Sequence, residues 1–164
     1  MTIAQAQNPE FDKVVVDSFS RQPFMHTIGA TLSTLEPGIC EVSVDRDESL
    51  TQQHGFFHGG LVAAVADSAA GYAAFSLFPV DSTVLTVDYN VKFLRPANGS
   101  TIRACAEVVK PGRTLYVVKA DVFVKDAGAE RHCLTGLFTM MCLMGKPDAQ
   151  NLGREPHKMS TEMT

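Results

Sequence analysis

Apolar residues along the 164-residue chain follow two different periods. In 84–94, Leu85, Val87, Tyr89, Val91 and Phe93 alternate with Thr86, Asp88, Asn90 and Lys92. The same period of two returns in 101–109 through Ile102, Ala104, Ala106 and Val108. It returns in 114–125 through Tyr116, Val118, Ala120, Val122 and Val124, and in 131–144 through Leu134, Phe138, Met140 and Cys142. Each pattern predicts a strand with one buried face. Pro96-Ala97-Asn98-Gly99, Pro111-Gly112 and Ala127-Gly128 separate these strands as turns. Earlier, 28–35 and 39–44 flank Glu36-Pro37-Gly38 and predict a hairpin. Helical spacing marks two other segments. Phe11, Val14, Val15, Val16 and Phe19 predict a helix over 11–21, and an apolar run from about His58 to Phe78 predicts a long one that Pro79 ends. The order is helix, two strands, long helix, four antiparallel strands. It predicts an α+β fold in which one sheet packs on the long helix.

That helix carries a single charge. At 3.6 residues per turn Gly60, Ala63, Ala64, Asp67, Ala70, Gly71 and Ala74 share a stripe. Small residues let a sheet or helix approach closely, and they leave room for a substrate beside a carboxylate. An unpaired buried charge is expensive, so Asp67 has either a structural partner across an interface or a chemical role. His58-Gly59-Gly60 opens the helix, where the first N–H groups lack intrahelical partners and sit at the positive end of the dipole. Glycine there lets another molecule's oxygen reach the backbone, as an oxyanion site requires, although a tight entry turn would also explain it. His54 and His58 are four apart, but no third ligand is suitably spaced, and no metal or other cofactor is expected.

Composition narrows the picture. The chain is 45% hydrophobic, enough for a sizeable core, while charged residues reach only 20% against the usual ~25%. Some surface is therefore covered by another subunit or a ligand. A net charge of −4 argues against nucleic-acid binding. The run 56–80 is long enough to cross a bilayer, but a central Asp67 costs about 2.5–3.5 kcal/mol there, and the many Ala and Gly drive insertion weakly. A buried helix in a protein without a membrane span is expected. Cys40, Cys105, Cys133 and Cys142 contain no C-x-x-C, and the first ten residues lack the order of a signal peptide. Free thiols and a cytoplasmic location are expected. Charge is also uneven. Between 90 and 120 stand Lys92, Arg95, Arg103, Lys110, Arg113 and Lys119 against Glu107 alone.

The segment TQQHGFFHGGLVAAVADSAAGYAA, followed by LTVDYNVKFLRPA, closely resembles the hotdog-fold acyl-CoA thioesterases of the phenylacetate-pathway (PaaI-like) type. That family has an amide residue seven positions before a helix-capping glycine, an acid eight positions after it, and a hydroxyl residue on the next strand. Gln52, Gly59, Asp67 and Thr86 occupy those places. Many relatives carry Asn and Ser where Gln52 and Thr86 stand, and Gln belongs to another hotdog branch whose acid is usually Glu. The chain thus mixes two branches.

The resemblance implies a hotdog fold over 23–144, a curved antiparallel sheet wrapped around the long helix. It leaves 1–22 as an N-terminal tail and helix, and 145–164 as a flexible C-terminal tail. It implies a homodimer, and a dimer of dimers, with the active site between subunits and the strand after the helix paired with its twin. The implied reaction is hydrolysis of acyl-CoA to a carboxylic acid and CoA. In it, the Gly59 N–H holds the oxyanion and Asp67 acts as general base or as nucleophile. Gln52 orients the carbonyl or the water, Thr86 holds the water or Asp67, and His58 contacts the carbonyl or caps the helix. Gly60 and Phe57 would contact substrate. Arg95, Arg113 and Lys92 are the basic residues proposed for the CoA phosphates. Phe56, Tyr72, Phe75 and Phe78 either join Phe57 along the acyl group or belong to the core. The acyl group is aryl-acetyl or a medium or long chain. Two alternatives stand beside this one. A hotdog hydratase or dehydratase would need a signature that is not visible here. The other is a non-catalytic acyl-CoA-binding protein, against which Asp67 favours chemistry.

Overall fold

A computed structural model describes residues 5–148. Its elements are α1 (Phe11–Ser20), α2 (Pro23–Thr27), β1 (Ala30–Glu36), β2 (Ile39–Asp45), α3 (Gly59–Phe75), β3 (Ser82–Phe93), β4 (Thr101–Lys110), β5 (Leu115–Asp126) and β6 (Ala129–Met144). The six strands form one antiparallel sheet in the order β1-β2-β4-β5-β6-β3. It wraps α3, and the hotdog architecture expected of the chain is the one observed.

The sheet's inner face follows the period of two. Val42 and Val44 on β2, Ile102 and Ala104 on β4, Val118, Ala120 and Val122 on β5, and Phe138 and Met140 on β6 are fully buried. α3 meets them with Val62, Val65, Ala66, Ala69 and Ala73, also fully buried. Fully burying one Val or Leu side chain contributes about 1.5–3 kcal/mol, so this interface dominates the core. α3 is apolar nearly all round, and one stripe stays uncovered: Gly60 is exposed and Ala64, Asp67 and Ser68 are half-buried. A helix so apolar is expected to be buried on every side, so that stripe is where the single chain looks unfinished.

α3 is shorter than its apolar run. It ends at Phe75, because Ser76 turns its hydroxyl to the Ala73 carbonyl (2.7 Å) and accepts from the Gly38 N–H (2.7 Å). Leu77 and Phe78 continue as tighter turns and stay in the core. α2 was not anticipated; Pro23 starts it, and five residues are too few to show a period.

β3 corrects the sequence reading. Thr86 pairs with Met140 and Asp88 with Thr139, so Val87 is an extra residue, a β-bulge. The bulge switches which side chains face α3. Thr86 touches the buried Met140 sulfur (3.6 Å) before it, and Tyr89 stacks on the buried Phe138 (5.3 Å between ring centroids) after it. Leu85 and Val87 therefore do not share a face with Tyr89, Val91 and Phe93. β3 is also an edge strand with exposed apolar side chains, Leu85, Val87, Tyr89 and Phe93 all being 47% or more accessible.

Of the expected C-terminal tail, 145–148 are described. Asp148 accepts from Arg21 (2.6 Å) and from the Thr83 hydroxyl (2.6 Å). The remainder, 149–164, lies outside the described residues. The four cysteines are free, three of them buried and Cys105 half-buried. No helix among the described residues is long and apolar enough to cross a membrane.

Candidate active site

Residues 51–57 form a small loop that delivers the chain to α3. Thr51 and Phe57 make an isolated bridge, and the Gln52 N–H donates to the Phe56 carbonyl (2.9 Å). Gly55 turns there at φ +79°, which only glycine adopts readily. The Gln52 side-chain oxygen accepts from the His54 N–H, so its NH₂ is the end left for donation. His58 is the N-cap: its Nδ1 accepts from the Gly60 N–H at 3.0 Å. That bond removes Gly60 from the pool of free donors. The Gly59 N–H makes no hydrogen bond among the described residues. Gly59 and Gln52 line a cavity of about 460 Å³ together with Phe57, Phe93 and Arg95. The Phe93 ring lies 3.4 Å from where a side chain on Gly59 would begin.

Asp67 lies two turns further along α3. Thr86 donates its hydroxyl to Asp67 Oδ1 at 2.8 Å, leaving Oδ2 without a partner among the described residues. Burial pushes the Asp67 carboxyl above its usual range, and the Thr86 bond opposes the shift without cancelling it. A second cavity, about 190 Å³, is lined by Asp67, Thr86, Ser68, Gly71, Tyr72 and Gln22. Eight residues at about 1.5 Å each put Asp67 ~12 Å from Gly59 along the axis. One chain therefore holds two half-sites, one with a free backbone donor and one with a carboxylate.

The remaining sequence-derived residues divide by position. Arg95 is the one basic residue lining the Gly59 cavity. Lys92 donates to Asn90 (2.8 Å) and lines a groove with Lys119, Thr135 and Leu137 instead. Arg113 is exposed in the β4–β5 turn, where Thr114 receives the Cys142 N–H, so the sheet separates it from Arg95. The basic region is also partly neutralised: Arg103 pairs with Glu41 and Glu130, and Lys119 with Asp121. Phe57 is buried while lining the Gly59 cavity, and Tyr72, Phe75 and Phe78 are buried in the core. No group of three potential metal ligands exists among the described residues. Phe93, Ser68 and Gln22 were missed. Phe93 was read on the correct strand but its face depends on the bulge, and Gln22 carries no periodic signal.

Residues 54–130 match the family model described as the thioesterase superfamily. A solved thioesterase family protein from Silicibacter pomeroyi is 50% identical, with a TM-score of 0.81 over 82% of this chain and 99% of that one. Human acyl-coenzyme A thioesterase 13 is 33% identical over 60% of this chain and 70% of its own length. This chain belongs to the thioesterase superfamily. A Halobacterium salinarum relative is 36% identical, over 58% of this chain and 66% of its own length. The match to the superfamily begins at His54 and so takes in Gly59, Asp67 and Thr86, while Gln52 lies just outside it. As a thioesterase the protein is a thioester hydrolase. A thiol leaves with a pKa of about 8.5, so one base and one oxyanion site suffice for its chemistry.

Proposed function

We propose that this thioesterase hydrolyses acyl-CoA at a site shared by two copies of the chain, Asp67 coming from one and Gly59 from the other. The observation that carries the reading is the pair of half-sites about 12 Å apart on one helix, flanking an uncovered stripe. Antiparallel pairing of two β3 edges would cover the exposed Leu85, Val87 and Tyr89 and remove an unpaired edge. Within one chain Thr86 is level with Asp67 and Phe93 is level with Gly59. A register that sets Thr86 opposite the partner strand's Phe93 brings the two half-sites together.

In this site the thioester oxygen accepts from the Gly59 N–H and from the Gln52 amide. Water attacks the carbonyl carbon as Asp67 Oδ2 takes its proton, and Thr86 holds the other carboxylate oxygen. The tetrahedral oxyanion collapses, the C–S bond breaks, and the proton on Asp67 passes to the departing thiolate. Burial suits Asp67 to this role, because a raised pKa makes a stronger base. The acyl-CoA class is supported by the name of the human relative and by Arg95, the cation beside the Gly59 cavity.

Thiol release from a panel of acyl-CoAs tests the reading, with Asp67→Asn as its control. The variant should lose about 10²–10⁴-fold in kcat, the usual contribution of a general base. Turnover near the parent level would sink the assignment. Asn still accepts from Thr86, so the fold survives. The linkage has a definite sign. A raised folded pKa means the carboxyl's favourable contribution is present below the unfolded value and is lost as pH rises through the folded one. Removing the charge therefore raises Tm at neutral pH rather than lowering it. Single turnover in ¹⁸O-water places the label in the product acid if water attacks, and in Asp67 over later turnovers if the carboxylate does.

A further inference from the structure

Glycine in a helix interior is less stable than alanine, so each one there needs a reason. At three glycines outside the helices the reason is crowding. A Cβ on Gly99 or Gly112 would stand 2.2 Å from a carbonyl oxygen, and one on Gly136 would stand 2.7 Å from Val91. Gly71 is the opposite case. It lies in the middle of α3 next to alanines, it is buried, and a Cβ there would meet nothing within 4 Å. Its backbone is helical, so no unusual torsion calls for glycine either. What surrounds it is the cavity of about 190 Å³ that it shares with Asp67, one turn away on the same face.

The far wall of that cavity is polar. Gln22, from the α1–α2 junction, donates its amide to the Tyr72 hydroxyl at 2.6 Å, and that hydroxyl also meets Ser18 at 3.3 Å. A long aliphatic chain driven past Gly71 would have to break this chain of bonds or leave its members dry and unpaired. The volume is also below the ~300–1,000 Å³ usual for ligand pockets.

We infer that the space over Gly71, closed by Gln22 and Tyr72, is the acyl chamber, and that it selects compact acyl groups over long chains. Gly71 sets the bulk accepted beside Asp67, and Gln22 sets the depth. This rests on the acyl-CoA reading above and narrows its substrate class; neither residue touches the reacting atoms.

The test measures kcat/KM for acetyl-, hexanoyl-, phenylacetyl-, dodecanoyl- and palmitoyl-CoA with the parent, Gly71→Ala, Gly71→Val and Gln22→Leu. The parent should prefer hexanoyl or phenylacetyl over palmitoyl by about 10-fold or more. Gly71→Ala should raise Tm, which shows that the fold tolerates the change. Gly71→Val should cost the two compact groups about 10-fold more than it costs acetyl. Gln22→Leu should raise the use of dodecanoyl-CoA relative to hexanoyl. A parent preference for palmitoyl, or an equal loss across the panel in Gly71→Val, would overturn the inference. If the parent releases thiol from none of the five, the acyl-CoA reading has failed and the chamber falls with it. Thiol release with the wrong selectivity defeats the chamber alone.

Discussion

The two ends of the working stretch of α3 are built in opposite ways. At its start, the Gly59 half-site is made of backbone: a loop, a capping histidine and an N–H with nothing bound to it among the described residues. Two turns on, the Asp67 half-site is made of side chains: a carboxylate, a hydroxyl from β3 and the alanine packing that shields them. The first offers fixed positive dipole in an open cavity, where a developing negative oxygen is welcome. The second keeps a negative group partly out of water, which makes it a better base and a worse neighbour. Such groups are useful only when they face one carbonyl, and ~12 Å of helix prevents that within a chain. Under the shared-site proposal the β3 edge becomes functionally necessary, since pairing there is what would join them.

The strongest way to break this comparison is to remove the backbone donor alone. Gly59 is the first residue of α3, a position that proline favours, and His58 before it is extended at φ −63° and ψ 133°, as a residue before proline should be. Gly59→Pro therefore deletes one N–H and keeps the helix start. We expect kcat to fall by about 10²–10³-fold, the usual cost of one oxyanion donor. Gly59→Ala keeps the N–H and meets Phe93 only at ordinary contact distance, so it should retain most of the activity. Equal losses in the two variants would show that space, not the donor, matters.

Next in size is recovery by mixing. Asp67→Asn and Gly59→Pro chains, each inactive alone, are co-refolded. If the site is shared, half of the dimers are mixed and each has one intact site, giving about a quarter of parent activity. If each chain holds its own site, every site keeps a defect and nothing returns.

Much of the architecture was legible because burial imposes a period. Val118, Ala120, Val122 and Val124 on β5 alternate as read, and the turn at Pro111-Gly112 falls where expected. The contact between Thr86 and Asp67 was anticipated through family likeness, not through alternation. A strict period of two sets Thr86 opposite the face of Phe93, and one extra residue at Val87 puts both toward α3. A bulge changes the count without changing the composition, so no pattern shows it. Charge was misleading for a similar reason. Lys92, Arg95 and Arg113 look like neighbours in a basic stretch, yet a strand's alternation and the length of the sheet disperse them.

Thr86 sharpens the side-chain half of the comparison. Its bond to Asp67 lowers a pKa that burial raises. Thr86→Val keeps the shape and removes the bond, so the carboxyl moves further up. With Asp67 as the proposed base, activity needs the ionised form and is lost as pH falls through that pKa, so the acid limb of kcat/KM should shift to higher pH. A hydrogen bond to a charged group contributes about 1.5–3 kcal/mol, which bounds the fall at optimal pH at roughly 10- to 150-fold. An unmoved acid limb would mean that Asp67 is not the titrating base.

The smallest effect separates the two roles open to His58. Its Nδ1 already accepts from the Gly60 N–H, so the structure assigns it the work of a cap. His58→Ala should cost about 1 kcal/mol of stability, or roughly 2–4 °C in Tm for a chain of this size. His58→Asn restores an N-cap oxygen without an imidazole and should return that stability. If His58 also met the substrate carbonyl, kcat would stay low in the Asn variant while Tm recovered. Recovery of both would leave His58 as the residue that ties up Gly60, so that Gly59 presents the free N–H at the helix start.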